Sequence, residues 1–342
     1  MVPALAVAAA LRDRGAEVHF IGGGRAETDL VPSAGFPFHR LRVEGMDRSN
    51  PFKAARALAL AGAAGPRARR LLKKIGADVV VGAGGYVAGP VGTAARTLGL
   101  PLALLEADSH LGLTNRRLAP VAAKVFLAFP IEGRDGSRYE VVGRPIPPGL
   151  DEVDRATARA RFEVDGDDAC LLIYGGSLGA RTINLAALDA FGETAPCQVL
   201  HVCGHRDHAE LRRRLDALGP PPHYRLHAYL DRFAEALAAA DLTVARAGGG
   251  VFELAAAGLP SILVPYPHAT ADHQAGNARW MAEGGAAVIV ADAQLDGPRL
   301  AREVVELLSS PGRLRQMSDA AYRLAMPDAA DRIADGVMAL DA

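Results

Sequence analysis

The chain has 342 residues, enough for two domains; half are apolar but only 5% aromatic, so its cores must be built mainly from Ala, Val and Leu. A formal net charge of −1 argues against a nucleic-acid polyanion as the main partner. No apolar run approaches the roughly 20 residues that span a bilayer, and Arg12, Asp13 and Arg14 follow too soon for a signal peptide. Cys170, Cys197 and Cys203 form neither a CxxC pair nor a metal-ligand spacing, so they read as buried thiols of a reducing cytoplasm.

In chain order, Ala4–Arg14 is predicted to be a helix and Glu17–Ile21 a strand. A long Ala/Leu/Arg-rich helix follows over Pro51–Ile75, then the strand Val79–Val81, a glycine turn at Gly82–Gly85, a helix over Pro90–Leu98 and a strand over Pro101–Leu105. Ala122–Leu127 and Glu140–Val142 complete this half, Gly143–Pro148 breaks it, and Asp151–Glu163 is predicted helical. The second half restarts with the apolar strand Cys170–Tyr174, which runs into Gly175-Gly176-Ser177-Leu178-Gly179 and a helix from Ala180. Gln198–Cys203, Tyr224–His227, Leu242–Val244, Ser261–Val264 and Ala287–Ile289 supply further strands, and Pro298–Leu308, Gly312–Leu324 and Asp328–Leu340 are predicted helices. Strands alternating with helices at this spacing mean βαβ units and parallel sheets, so the fold class is α/β with two Rossmann-like halves. Ligands in such sheets bind beyond the carboxyl ends of the strands, which places the glycine turns of both halves along a common crevice.

The block 246–277 carries the most chemistry. After the strand Leu242–Val244, Gly248, Gly249 and Gly250 let the backbone turn sharply, and a helix from Val251 to Ala257 would point its free N–H groups at a diphosphate. Glu253, in the first turn of that helix, has a carboxylate suited to the vicinal hydroxyls of a ribose. The strand Ser261–Val264 ends in a loop carrying His268, Asp272, His273 and Gln274, groups suited to sugar hydroxyls. An ordinary strand–turn–helix would explain the glycines alone; Glu253 and the polar loop favour a site.

Four blocks, Gly84-Gly85-Tyr86-Val87-Ala88-Gly89-Pro90, Gly112-Leu113-Thr114-Asn115-Arg116, Gly175 to Arg181 and 246–277, together resemble the MurG family. These are the family 28 glycosyltransferases that add N-acetylglucosamine from UDP-GlcNAc to lipid I, the undecaprenyl-diphosphate-linked N-acetylmuramoyl-pentapeptide, to give lipid II for peptidoglycan. The resemblance covers essentially the whole chain. It implies a GT-B fold, two Rossmann-like domains whose parallel sheets face a central cleft, with residues 1–146 as the acceptor and membrane-side domain. A linker at 147–167, a UDP-sugar domain at 168–315, and C-terminal helices at 316–342 packing back towards the first domain complete the expected layout. It further implies inverting transfer without metal or cofactor, and peripheral attachment to the cytoplasmic face of the cell membrane.

For the donor, the resemblance assigns Ser177 to the nucleotide turn, Leu230 to backbone recognition of uracil, Gly248–Val251 to the phosphates, Glu253 to the ribose, and Gln274, with His273 beside it, to the sugar. For the acceptor it implies Gly84, Gly85, Tyr86 and Asn115. Three departures stand out. Met1-Val2-Pro3-Ala4-Leu5-Ala6 begins where the family's Gly-Gly-His loop has just ended, so the first strand, that loop and its histidine base are expected to be missing. Glu106-Ala107-Asp108 replaces Glu-Gln-Asn, which makes Glu106 or Asp108 the expected base, since paired carboxylates can separate their pKa values. Gly143-Arg144-Pro145-Ile146-Pro147 replaces Gly-Asn-Pro-x-Arg, leaving Arg144 to take the arginine's place at the donor.

Asp165-Gly166-Asp167-Asp168 has the form of a metal motif but falls where an exposed loop is expected. His201, His205 and His208 are expected to be structural or surface residues. Arg67, Arg69, Arg70, Lys73 and Lys74 share a helix with Leu71, Leu72 and Ile75, a pattern that fits a solvated face as well as an anionic lipid surface. Alternative functions are another GT-B transferase making a glycolipid or glycoside, or a UDP-sugar-binding protein without turnover.

Overall fold

The computed structural model describes residues 1–24, 26–43, 51–147, 149–150, 152–164, 168–176, 179–219, 221–269 and 272–341, with 51–62 as backbone alone. The chain divides into two compact units, Met1–Pro147 with Pro327–Ala342, and Pro148–Met326.

The first unit opens with α1 (Val2–Asp13), β1 (Phe20–Gly22), α2 (Glu27–Ser33) and β2 (Phe38–Arg40), followed by α3 (Pro51–Ile75), β3 (Val80–Gly82), α4 (Gly85–Leu98) and β4 (Leu102–Glu106). It continues through α5 (Leu113–Leu118), β5 (Lys124–Leu127) and β6 (Tyr139–Val141). β3-β4-β5-β6 form one sheet in that order and β1-β2 a separate pair, and every pairing is parallel. Alternation along each strand gives the sheet two buried faces. Leu102, Leu104, Val125 and Leu127 point to the side covered by Ala64, Ala68 and Leu72 of α3 and Val91, Ala94 and Ala95 of α4. Ala103 and Phe126 point to the other side, against Val7, Ala10 and Leu11 of α1.

Several elements differ from the sequence expectation. α2 and β2 have no counterpart in it. α4 begins at Gly85, ahead of Pro90, which lies inside the helix. Proline there forgoes one helical hydrogen bond near the exposed Tyr86 end, a tolerable loss.

The second unit runs α6 (Arg155–Arg161), β7 (Cys170–Tyr174), α7 (Arg181–Phe191), β8 (Gln198–Val202), α8 (His205–Ala217), β9 (Tyr224–His227), α9 (Phe233–Ala239) and β10 (Leu242–Ala245). Then come α10 (Val251–Ala256), β11 (Ser261–Leu263), α11 (His273–Glu283), β12 (Ala287–Ile289), α12 (Gly297–Leu308) and α13 (Pro311–Leu324). Its sheet has the order β12-β11-β10-β7-β8-β9, all parallel. All five residues of β7 are buried, as an apolar run covered on both faces requires. The chain therefore winds outward from β7 through β8 to β9, then returns to the opposite side of β7 and winds outward again through β10, β11 and β12. β7 and β10 flank the point where the winding reverses.

The C-terminal segment is shared between the units. α13 packs on α10 and α12, whereas α14 (Ala329–Met338) packs on α1 in the first unit, so the crossing falls at Pro327 rather than at 316. Arg14 of α1 binds Asp331 at 3.0 Å and Asp335 at 2.7 Å, and Arg332 reaches Glu140 at 3.1 Å. Gly336 lies against Phe126, where a Cβ would come within 2.6 Å of the ring.

Candidate active site

Tyr174 and Ala245, the last residues of β7 and β10, are register partners. The glycine turns that follow them therefore lie side by side at the winding reversal, where doubly wound sheets open a crevice for a ligand. The two turns are built differently. In the first, Gly176 and Gly179 have φ of +84° and +74°, and a Cβ on Gly179 would overlap the carbonyl oxygen of Cys203. A buried polar network fixes that carbonyl. Asn184 donates to Cys203 O at 2.9 Å and to Asp207 Oδ2 at 2.8 Å, and Asp207 and Glu210 hold Arg181. His201, fully buried, sits between Asn184 Oδ1 and the Tyr224 hydroxyl, and burial pushes its imidazole down to about 3. It is a structural histidine, as the sequence implied. Ser177 lies outside the described residues.

The second turn does not need its glycines for conformation. Gly248, Gly249 and Gly250 all have negative φ, and a Cβ on Gly248 would meet nothing within 4 Å. This corrects the expectation that backbone steric freedom explains them. Among the described residues, no acceptor takes a hydrogen bond from their three N–H groups. The helix beyond is short, six residues, and Val251 spends its own N–H on Gly248 O at 3.2 Å, so Val251 is a buried anchor rather than a free donor. Asn277 braces the turn by donating to Ala247 O at 3.0 Å, and Arg246 binds Asp292 at 2.5 Å and the carbonyl oxygen of Val264 at 3.1 Å.

Glu253 occupies the first turn of α10, half-buried. His273 and Gln274 open α11 instead of belonging to the preceding loop, and Asp272 before them takes a left-handed conformation (φ +55°). Gln274 Oε1 accepts from Tyr266 N–H at 2.9 Å, leaving its NH₂ group without a hydrogen bond among the described residues. Leu230 follows β9, two strands out from β7, just beyond Tyr229, whose ring stacks on His205. Arg144 is half-buried in the first unit.

In the first unit, Gly84 (φ +82°) and Gly85 (φ +75°) follow β3, and Glu106 ends the neighbouring strand β4. The positive φ values explain both glycines. Tyr86 is exposed. Asn115 is not: it is 3% exposed and donates through Nδ2 to Leu105 O and to Glu106 Oε2, so it supports the carboxylate from behind. Glu106 is itself buried, accepting from Gly112 N–H at 2.8 Å on Oε2 and from Asp108 N–H at 3.2 Å on Oε1. Burial raises its pKa, and these hydrogen bonds oppose the rise without cancelling it. Asp108 is half-buried at the start of the loop.

The sequence reading passed over Gly22-Gly23-Gly24, a further glycine turn, after β1. Glu27 Oε1 accepts from the N–H groups of Gly23 and Gly24 at 3.0 and 3.1 Å, closing that turn on itself. Residues 165–167 of the aspartate run lie outside the described residues, and Asp168 accepts from Gln198. All three cysteines are buried free thiols.

Parallel sheets in two units, with paired glycine turns at a winding reversal, define a nucleotide-binding α/β protein of the GT-B type. The chain belongs to glycosyltransferase family 28: the N-terminal domain of that family matches residues 1–127 and the C-terminal domain residues 170–333. The UDP-N-acetylglucosamine–N-acetylmuramyl-(pentapeptide) pyrophosphoryl-undecaprenol N-acetylglucosamine transferase of Moorella thermoacetica is 41% identical over 345 residues, covering 97% of this chain and 93% of that protein. Its counterpart of the same name in Acidithiobacillus ferrooxidans is 40% identical over 350 residues, covering 97% and 92%. Among solved structures, MurG of Acinetobacter baumannii superposes with a TM-score of 0.80 at 29% identity, covering 99% of this chain and 95% of that one.

Proposed function

We propose that this chain transfers N-acetylglucosamine from UDP-N-acetylglucosamine to lipid I, giving lipid II, by a single inverting displacement at the cytoplasmic face of the cell membrane. The observation that carries the reading is the Gly248–Gly250 turn, three N–H groups unpartnered among the described residues, beside a strand pair at the winding reversal. Such a cluster of donors suits a diphosphate and stabilises the charge that gathers on it as the sugar leaves. Glu253, one short step along α10, accepts from the ribose hydroxyls. Gln274 offers its NH₂ group to the sugar, with His273 beside it, and the Leu230 backbone is assigned to uracil. Ser177 and Arg144 keep the donor roles that the family resemblance gives them.

On the acceptor side, Gly84, Gly85 and Tyr86 are assigned to the lipid diphosphate. The hydrogen-bonding around Glu106 divides the work between the two carboxylates. Both oxygens of Glu106 already accept hydrogen bonds, so we assign it to holding the loop 107–112 and Asp108 to taking the proton from the acceptor hydroxyl as it attacks the anomeric carbon. Asn115 then acts through Glu106 rather than on the acceptor.

For the membrane, α3 turns Ala64, Ala68 and Leu72 inward and exposes Arg67, Arg69, Arg70, Lys73 and Lys74. Among the described residues no helix is long and apolar enough to cross a membrane. A basic face attracts the anionic cytoplasmic leaflet by about 1 kcal/mol per charge, which fits peripheral attachment.

The test is a transfer assay on the full chain with radiolabelled UDP-N-acetylglucosamine and a lipid I analogue. One UDP should be released for each disaccharide lipid formed. Labelled sugar that stays on the nucleotide whenever lipid I is the acceptor would defeat the assignment.

A further inference from the structure

Tyr174 brings a phenol hydroxyl to the edge of the second glycine turn. It is the last residue of β7, 9% exposed, and its ring packs edge-on against Phe233 with centroids 4.8 Å apart. Its Oη lies 3.4 Å from where a Cβ on Gly250 would stand, so it borders the Gly248–Gly250 turn directly. Among the described residues it makes no hydrogen bond. The ring is buried while the hydroxyl sits at the rim of the turn, free to donate to a ligand there. Burial, with the Glu253 carboxylate adding to it, holds the phenol's pKa well above its ordinary value, so it stays a proton donor at every working pH.

Three backbone N–H groups and one phenol O–H thus lie at one turn without a hydrogen bond among the described residues. An anion with several oxygens satisfies such a set. Building on the donor site proposed above, we infer that the Tyr174 hydroxyl donates a hydrogen bond to a phosphate oxygen of the bound nucleoside diphosphate and is a specificity-determining residue for the donor.

The experiment titrates UDP and, separately, uridine into the full-length protein and its Tyr174→Phe variant by calorimetry, with melting temperatures recorded. The phenyl ring keeps the packing on Phe233, so melting should be unchanged. UDP affinity should fall by roughly 10- to 100-fold, the range for a lost hydrogen bond to a charged acceptor, while uridine affinity stays the same. A Tyr174→Leu variant, lacking ring and hydroxyl, should melt lower yet bind UDP no worse than Tyr174→Phe. Equal losses for UDP and uridine would move the hydroxyl to the ribose and overturn the inference, as would unchanged UDP affinity in the Phe variant. Failure of the unmodified protein to bind UDP would overturn the donor site itself along with it.

Discussion

Asn115 uses one nitrogen to hold two neighbours in place, donating to Leu105 O at 2.9 Å and to Glu106 Oε2 at 3.0 Å. The Glu106 carboxylate is thereby fixed at the carboxyl end of β4 but poorly solvated, and burial raises its pKa above the ordinary 4.5. The folded protein then binds that proton more tightly than the unfolded chain does. The stabilisation is complete below about pH 4.5 and is lost as pH rises through the raised folded value. Glu106→Gln removes the titration, and any fixed cost of the amide is the same at every pH. Relative to the native chain, the variant should therefore gain stability as pH rises from 4 to 7 in urea unfolding followed by circular dichroism. A difference that stays flat or falls would show that the carboxyl is not raised.

The two glycine turns separate by substitution. Gly179→Ala must place a Cβ at positive φ and into the Cys203 carbonyl, so it should lower the stability of the second unit by more than about 2 kcal/mol and lose UDP binding as a consequence. Gly248→Ala meets neither obstacle and should melt within about 0.5 kcal/mol of the native protein, the usual range for a harmless surface change. If the turn cradles a diphosphate, it should nonetheless bind UDP at least about 10-fold more weakly, because a methyl group blocks close approach of the phosphate. Native UDP affinity in Gly248→Ala would leave that turn without a ligand.

That contrast marks where the sequence stops being informative. β7 was legible to the residue, because an apolar run ending in glycines is bounded on both sides, and the βαβ alternation that announces parallel sheets is equally plain. Whether a glycine serves φ, close packing or an absent ligand is not written in its neighbours: Gly179 and Gly248 look alike until the Cys203 carbonyl is seen beside one and empty space beside the other. Asn115 was expected at the acceptor, because its partner Glu106 is reached only by the folding back of the loop 107–112. α2 was hidden by its brevity and by Pro32 inside it. α11 was read as a loop, and the left-handed conformation of Asp272 that precedes it is one that its residue type permits but does not require.

Glu253 should carry much of the nucleotide affinity if it binds the ribose. A charged hydrogen bond contributes about 1.5–3 kcal/mol, so Glu253→Ala should weaken UDP by roughly 10- to 100-fold while leaving binding of inorganic pyrophosphate unaltered. Titration calorimetry with the two ligands checks both halves. Loss of pyrophosphate binding to the same degree would mean that the residue shapes the turn instead.

Membrane attachment through α3 makes a salt-dependent prediction. Its exposed basic residues, Arg67, Arg69, Arg70, Lys73 and Lys74, lie on the side of the helix opposite the buried Ala64, Ala68 and Leu72, so they can be changed without disturbing the core. At about 1 kcal/mol per basic side chain near an anionic surface, Arg70→Glu with Lys73→Glu should lower partitioning onto phosphatidylglycerol vesicles by at least about 10-fold. The native protein should itself detach as ionic strength rises and the Debye length shrinks from about 10 Å at 0.1 M towards 3 Å at 1 M. UDP affinity should not change, since neither Arg70 nor Lys73 is assigned to the donor. Sedimentation with vesicles of graded anionic content measures the effect. Equal binding of native and doubly substituted protein at low salt would take α3 off the membrane.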